Sequence, residues 1–488
     1  MSSTLSEDTF FLDRRASGGL QMQLRQTVAS SILSGRLRVG DRMPSSRKLA
    51  QHLKISRITV TLAYQELVAD GYLASRDRSG YFVADTAPVA QIAPATKAPA
   101  ALMDWSKYLT KQYSGARVLT KTHNWRDYAY PFIYGQADPN IFNHSGWRAC
   151  AHRALGRRDF DALAGDYVEE DDPELVDFIA RHTLPRRGIA AQSGEILITM
   201  GAQNALWIVA QLLLKQGVKA AIENPGYPGL RSILEQTGCE VAPIDVDLDG
   251  LPPEKLPQDT DIVFATPSHH APTTVTMPMA RRRRLLDLAE HHNMIVVEDD
   301  YEFEMSFLRP PRPALRSIDT TGRVIYVGSF SKSLFPGLRL GYLVAPEPFI
   351  HEARALRATV LRHPPGHIQR TTAYFLGLGH YDALIRKMRD TFQERREVMS
   401  QSIENLGLEA SHASVYGGTS FWMKAPEHVD TAQLADSLRE QSVIIEPGAA
   451  FFADDTPENA YYRLAYSSIE AAKIPGGLEK IAQAIQRP

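Results

Sequence analysis

The stretch Ser329-Phe330-Ser331-Lys332, followed by Pro336-Gly337-Leu338-Arg339 and Gly341, sets one lysine just past an apolar run, between hydroxyls and an arginine. An amine so placed can hold an aldehyde, while the hydroxyls and the guanidinium can hold an anion attached to it. Phe330, Leu334 and Phe335 flank the lysine and favour its less charged, reactive form.

Outward from this stretch the chain alternates short β-branched runs with helical stretches. The runs are 196–199, 220–223, 241–245, 262–265, 295–298, 324–327 and 341–344. Several are apolar without alternation, as expected of strands buried on both faces. Seven such runs with helical connections predict an α/β fold with a mostly parallel seven-stranded sheet, whose ligands gather beyond the carboxyl ends of the strands. From about Glu347 onward, helices surround β-like patches at 419–423 and 462–465, which predicts a small C-terminal α+β lobe.

Those strand ends carry a constellation. Asp299 and Tyr301 follow the run 295–298, and Tyr227 follows 220–223 in Asn224-Pro225-Gly226-Tyr227. Gly201-Ala202-Gln203-Asn204 follows 196–199 and opens an apolar helix. Pyridoxal 5'-phosphate needs an amine, a carboxylate at its pyridine nitrogen, a donor at its ring oxygen, an aromatic lid and a phosphate cup. Lys332, Asp299, Tyr301 and Tyr227 supply the first four in that order. The amides of Ala202 and Gln203 at a helix start, with Ser329, Ser331 and Arg339, supply the cup.

The chain begins differently. Apolar residues at Leu20, Leu24, Val28 and Ile32 keep a helical period, Ser45 and Ser46 can cap a second helix, and Ser56 a third that stops at Gly71. Residues 72–83 then read as a hairpin with a basic tip, Arg76-Asp77-Arg78-Ser79-Gly80. Helix, helix-turn-helix and wing is a DNA-binding order, in which the first turn of the third helix meets base edges. Arg57 can bond guanine bidentately; Ser56 and Thr59 can reach phosphate or bases; Arg47 suits a phosphate; Arg76, Arg78 and Gly80 suit the minor groove. Between Arg14 and Val83, twelve Lys/Arg face four Asp/Glu, so this head carries +8 in a chain of net charge −2. A basic head on an acidic body fits a polyanion partner for the head alone. The Ala/Pro-rich residues that follow read as a linker, giving a winged helix over 14–84, a linker over 85–120 and a cofactor-binding body over 121–488.

Two resemblances join these readings. Met43-Pro44-Ser45-Ser46-Arg47-Lys48-Leu49-Ala50, Ser56-Arg57-Ile58-Thr59-Val60 and Gly71-Tyr72-Leu73 resemble the winged helix of GntR-type regulators. Ser-x-Ser-Lys with its later arginine, Asp299-Asp300-Tyr301 and Glu446-Pro447-Gly448-Ala449-Ala450-Phe451 resemble fold-type I aminotransferases. In that family an arginine on a late strand grips the substrate carboxylate; the matching residue is Arg463. One departure stands out. The family's Asn-Pro-Thr-Gly run, whose asparagine donates to the ring hydroxyl, is replaced by Pro267-Ser268-His269-His270-Ala271-Pro272-Thr273-Thr274, with Ala271 at the asparagine position. His270 is either a substitute donor or half of an idle surface pair with His269. Head and body together resemble the MocR subfamily.

That resemblance implies a homodimeric, head-to-tail transcriptional regulator rather than an enzyme. It would bind double-stranded operator DNA and sense an amine or amino-acid effector by imine exchange at Lys332, with Arg463 on the effector's anionic end. The alternative is an active aminotransferase with a DNA-binding appendage. Met1–Asp13 has no apolar core or basic flank of a signal peptide, no apolar run suggests a membrane span, and Cys150 and Cys239 are too few for a disulfide framework or zinc site. The expected compartment is the cytoplasm. Arg281–Arg284 reads as a solvated helix face and His291-His292 as a helix end.

Overall fold

The computed structural model describes residues 10–12, 19–77, 79–88, 103–110, 113–114, 121–412, 415–453 and 459–486. Arg14, Arg78 and much of the 85–120 stretch lie outside the described residues. Two compact units result, Met1–Gln112 and Tyr113–Pro488.

In the first unit, α1 (Leu20–Leu33) buries Leu24, Val28 and Ile32, as its period requires. Helix α2 (Ser46–Leu53) begins where Ser45 accepts from the Lys48 amide at 3.3 Å and ends where Lys54 turns left-handed. Helix α3 (Arg57–Ala69) begins where Ser56 accepts from the Ile58 amide at 3.2 Å, and it buries Val60, Ala63, Tyr64 and Leu67 against the other two. These caps satisfy amides that a helix start leaves bare. Strands β1 (Leu73–Arg76) and β2 (Gly80–Val83) pair antiparallel as the wing, with Gly80 at φ +99 in the turn.

The second unit opens with β3 (Tyr130–Pro131). Its main sheet uses all seven predicted runs: β4 (Ile196–Thr199), β5 (Lys219–Asn224), β6 (Glu240–Asp245), β7 (Ile262–Ala265), β8 (Ile295–Asp300), β9 (Val324–Ser329) and β10 (Gly341–Val344). Their order is β4-β10-β9-β8-β7-β5-β6, and β10 alone runs against its neighbours. Ile196, Ile198, Tyr326, Tyr342 and Val344 enter one apolar cluster, while Leu197, Ile325, Val327 and Leu343 enter another. Alternate side chains thus bury both faces, which explains why these strands read as apolar without alternation. The small lobe is an antiparallel sheet of β11 (Glu409–His412), β12 (Ser420–Lys424), β15 (Tyr461–Ala465) and β14 (Glu446–Pro447), in that order. Strand β13 (Val443–Ile444) pairs with β3 and ties the lobe to the start of the body.

Two expectations are corrected. Arg282 is fully buried, because the Met277, Pro313 and Pro267 carbonyls accept its N–H groups at 3.1, 2.8 and 2.6 Å. Only Arg283 and Arg284 of that run are exposed. His269 and His270 are both buried, so they are no surface pair.

Candidate functional site

The parallel strands bring the predicted residues to one edge. Strand β4 leads into the helix Ala202–Leu213, whose N-cap is Gly201 at φ +85, without a capping side chain. Among the described residues no backbone partner is seen for the Ala202 and Gln203 amides, the condition for an anion site at a helix start. Arg339 donates to the Met200 carbonyl at 3.2 Å, and its Nη2 stands 3.5 Å from where a β-carbon on Gly201 would be. A β-carbon on Gly341 would come within 3.0 Å of the Ala202 nitrogen, so glycine there lets β10 approach the helix start. Ser329 accepts from the Ser331 amide at 3.1 Å, which folds the two hydroxyls around the end of β9.

Asp299, at the end of β8, has a buried Oδ1 with no protein partner. Burial, reinforced by Asp300 and Glu223, pushes its carboxyl up to about 7. Tyr227 and Asp299 line one small cavity with Ala265 and Thr266. An orphaned carboxylate facing an aromatic lid fits a protonated pyridine ring, so the residues present suit pyridoxal phosphate. Lys332 is half-buried as a residue, but its amine ends inside, 3.8 Å from the centroid of the Tyr134 ring. Burial and the nearby Lys121 cation lower that amine to about 7, against the pull of Glu302. At neutral pH much of it is therefore a nucleophile.

The Tyr134 hydroxyl donates to Glu302 Oε2 at 3.1 Å, and Thr419 donates to the other oxygen. Arg463, on β15, is buried, donates Nε to Glu446 at 2.8 Å, and stands 3.9 Å from the centroid of Tyr134 and 4.7 Å from that of Phe451. The sequence pattern pointed to none of Lys121, Tyr134 and Glu302, and it placed Arg463 and Glu446 in separate motifs without showing that they pair. At Ala271 no side chain can donate. His270 Nδ1 lies 2.7 Å from Thr273 Oγ1, and its Nε2 lies 3.6 Å from Glu223, which lines the same cavity as Asp299 and Tyr227.

On the head, Arg47, Ser56 and Arg57 are exposed and Thr59 is half-buried, all at the starts of α2 and α3. Arg57 Nε donates to Ser46 at 3.4 Å. On the wing, Arg76 lies over Phe82, 4.6 Å from its centroid, and Gly80 is exposed. Ile58 was overlooked: it is 70% exposed in the first turn of α3, where an apolar side chain can meet a thymine methyl.

Comparisons with known proteins match both units of the chain. The family model "Aminotransferase class I and II" matches residues 164–481, and "Bacterial regulatory proteins, gntR family" matches 20–83. The chain is 56% identical, over 98% of its length and 99% of the relative's, to the HTH-type transcriptional regulator TauR of Rhodobacter capsulatus. It is 33% identical, over 79% of its length and 78% of the relative's, to the probable rhizopine catabolism regulatory protein MocR of Rhizobium meliloti. Among solved structures, the α-aminoadipate aminotransferase LysN of Thermus thermophilus, complexed with N-(5'-phosphopyridoxyl)-L-leucine, matches with TM-score 0.70 and 25% identity, over 79% of this chain and 98% of that one. The chain belongs to the aminotransferase class I and II family and, with its GntR head, to the MocR-like regulators: it is a DNA-binding transcriptional regulator whose cofactor is pyridoxal phosphate. Among the described residues no helix is long and apolar enough to cross a membrane, and no group of side chains could hold a metal ion.

Proposed function

We propose that the body senses an amine or amino-acid effector at Lys332 and reports it to the head, rather than turning substrates over. The observation that carries this is the buried Lys332 amine, its proton loosened by burial to about 7 beside Arg463 and Tyr134, in a site with Ala271 where a ring-hydroxyl donor belongs. Bound there, pyridoxal phosphate supplies an aldehyde carbon that links reversibly to amines. Lys332 would hold that carbon through its amine, and an effector amine would take its place. Asp299 holds the ring nitrogen, Tyr227 covers the ring, and Tyr301 reaches its oxygen. Ser329, Ser331, Arg339 and the amides of Ala202 and Gln203 grip the phosphate. Arg463 meets the effector's anionic end. On DNA, Arg57, Ser56 and Thr59 enter the major groove, Arg47 takes a phosphate, and Arg76 and Gly80 follow the minor groove.

In this reading residues 14–84 form the winged helix, 85–120 the linker and 121–488 the effector body of a head-to-tail cytoplasmic homodimer. Effector must bind two arrangements of the protein with different affinity for the signal to reach the head. The rival, a working aminotransferase, draws support from the completeness of the Lys332 constellation. Amino donors with a keto acid separate the two. The absorbance of bound cofactor should shift and operator affinity should change, without sustained product. Multiple turnover would overturn the sensing reading. Lys332→Ala should abolish borohydride fixation of cofactor yet spare DNA binding by the head.

A further inference from the structure

Lys121 belongs to no motif, yet its amine enters the centre of the effector site. The residue is exposed along the chain, while its ammonium donates to the Tyr134 carbonyl at 2.7 Å. A β-carbon on Gly135 would stand 2.2 Å from the Lys332 amine and 3.7 Å from the Lys121 amine, so both converge on one point. Gly135 keeps that point open, at a φ of +66 that also favours glycine. Arg463 shares the Tyr134 ring with Lys332.

Two cations, Lys121 and Arg463, and the Lys332 amine therefore surround one tyrosine, and two buried carboxylates lie among them. Glu446 takes the Nε edge of Arg463, and Glu302 accepts from the Tyr134 hydroxyl. Lys332 is committed to amine chemistry, and Arg463 has already given one edge to Glu446. Lys121 has spent one of its three donors on a carbonyl. Burial weakens its hold on its proton, while Glu446 strengthens it and Arg463 opposes, as expected of a cation seated among these groups.

We propose that Lys121 is the second cation, beside Arg463, that binds the anionic end of a short amino-acid effector whose amine is taken at Lys332. This rests on the effector reading above. Convergence of the two lysine amines on one point limits the ligand to a few bonds between its amine and its anion. The anion is an oxyanion, carboxylate or sulfonate, because both suit an ammonium and a guanidinium together. Lys121 also directly follows the 85–120 stretch in the chain, so the residue that reads the ligand is the one at which the path from the head arrives.

The test uses full-length, cofactor-loaded protein and follows cofactor absorbance during titration with 3-aminopropanoate, 2-aminoethanesulfonate and propylamine. Lys121→Gln should weaken at least one of the two anionic amines about tenfold or more and leave propylamine within about twofold; the anion that loses more identifies the preferred oxyanion. Lys121→Arg should restore most of the loss. Equal losses for all three amines, no loss, or an arginine variant as poor as the glutamine one would overturn the assignment. If Lys121→Gln fails to retain cofactor, Lys121→Met carries the same comparison, and loss of cofactor from both identifies a structural lysine instead. A wild type that answers no amine would overturn the effector reading itself. A responsive wild type indistinguishable from Lys121→Gln would overturn only the role of Lys121.

Discussion

Arg463 donates its Nε to Glu446 at 2.8 Å, with both side chains buried, so the arginine expected to hold an effector anion is already half neutralised. Arg463→Ala strands a buried carboxylate. It should cost about 3–5 kcal/mol in denaturant unfolding, besides losing the response to anionic amines. Glu446→Gln frees the guanidinium and should tighten anionic amines while leaving neutral ones unchanged, as read by cofactor absorbance.

Cofactor uptake should depend on pH through Lys332. Its amine is protonated below about 7 and neutral above, so the rate at which cofactor-free protein takes up pyridoxal phosphate should rise with pH through about 7 and then level off. Lys121→Gln removes a cation that lowers this amine and should move the midpoint up; Glu302→Gln removes an anion that raises it and should move the midpoint down. Stopped-flow absorbance checks both signs.

Asp299 makes stability depend on pH. Its folded value of about 7 exceeds the ordinary 3.8, so the native state binds the extra proton, and its contribution to stability falls as pH rises from about 4 to 7. Cofactor-free Asp299→Asn should therefore lose less stability over that window in thermal melts. The same substitution should weaken cofactor binding by about 1.5–3 kcal/mol, the worth of a charge-assisted bond.

On DNA, Arg57→Ala should cost about 1–3 kcal/mol and relax preference at one guanine. Arg47→Ala should weaken all sequences alike and lower the slope of log affinity against log salt by about 1. Ile58→Ala should reduce discrimination at a thymine without changing that slope. Salt-resolved binding to operator variants separates the three.

Much of this was legible because it is local. Caps at Ser45 and Ser56, buried positions on α3 and the seven apolar runs each follow from spacing within a few residues. The residues at the strand ends were legible too, because parallel strands present their carboxyl ends at one edge. Arg282 was misread because a run of arginines looks solvated until three distant carbonyls accept its N–H groups. His269 and His270 were open to misreading for the same reason: nothing in a polar dipeptide reports that the chain folds over it.

The sequence by itself determined the two folds and which residues gather where the strands end, Lys332, Asp299 and Tyr227 among them, since each is encoded by short-range pattern. Tertiary structure alone decided what surrounds that lysine. Tyr134 and Glu302 are 168 residues apart in the chain, and Lys121 comes from a stretch with no pattern at all. Their meeting follows from packing the small lobe and the opening strand β3 against the sheet. Burial then does what spacing cannot: it removes water from between the charges, so each sets the protonation and the ligand preference of the next.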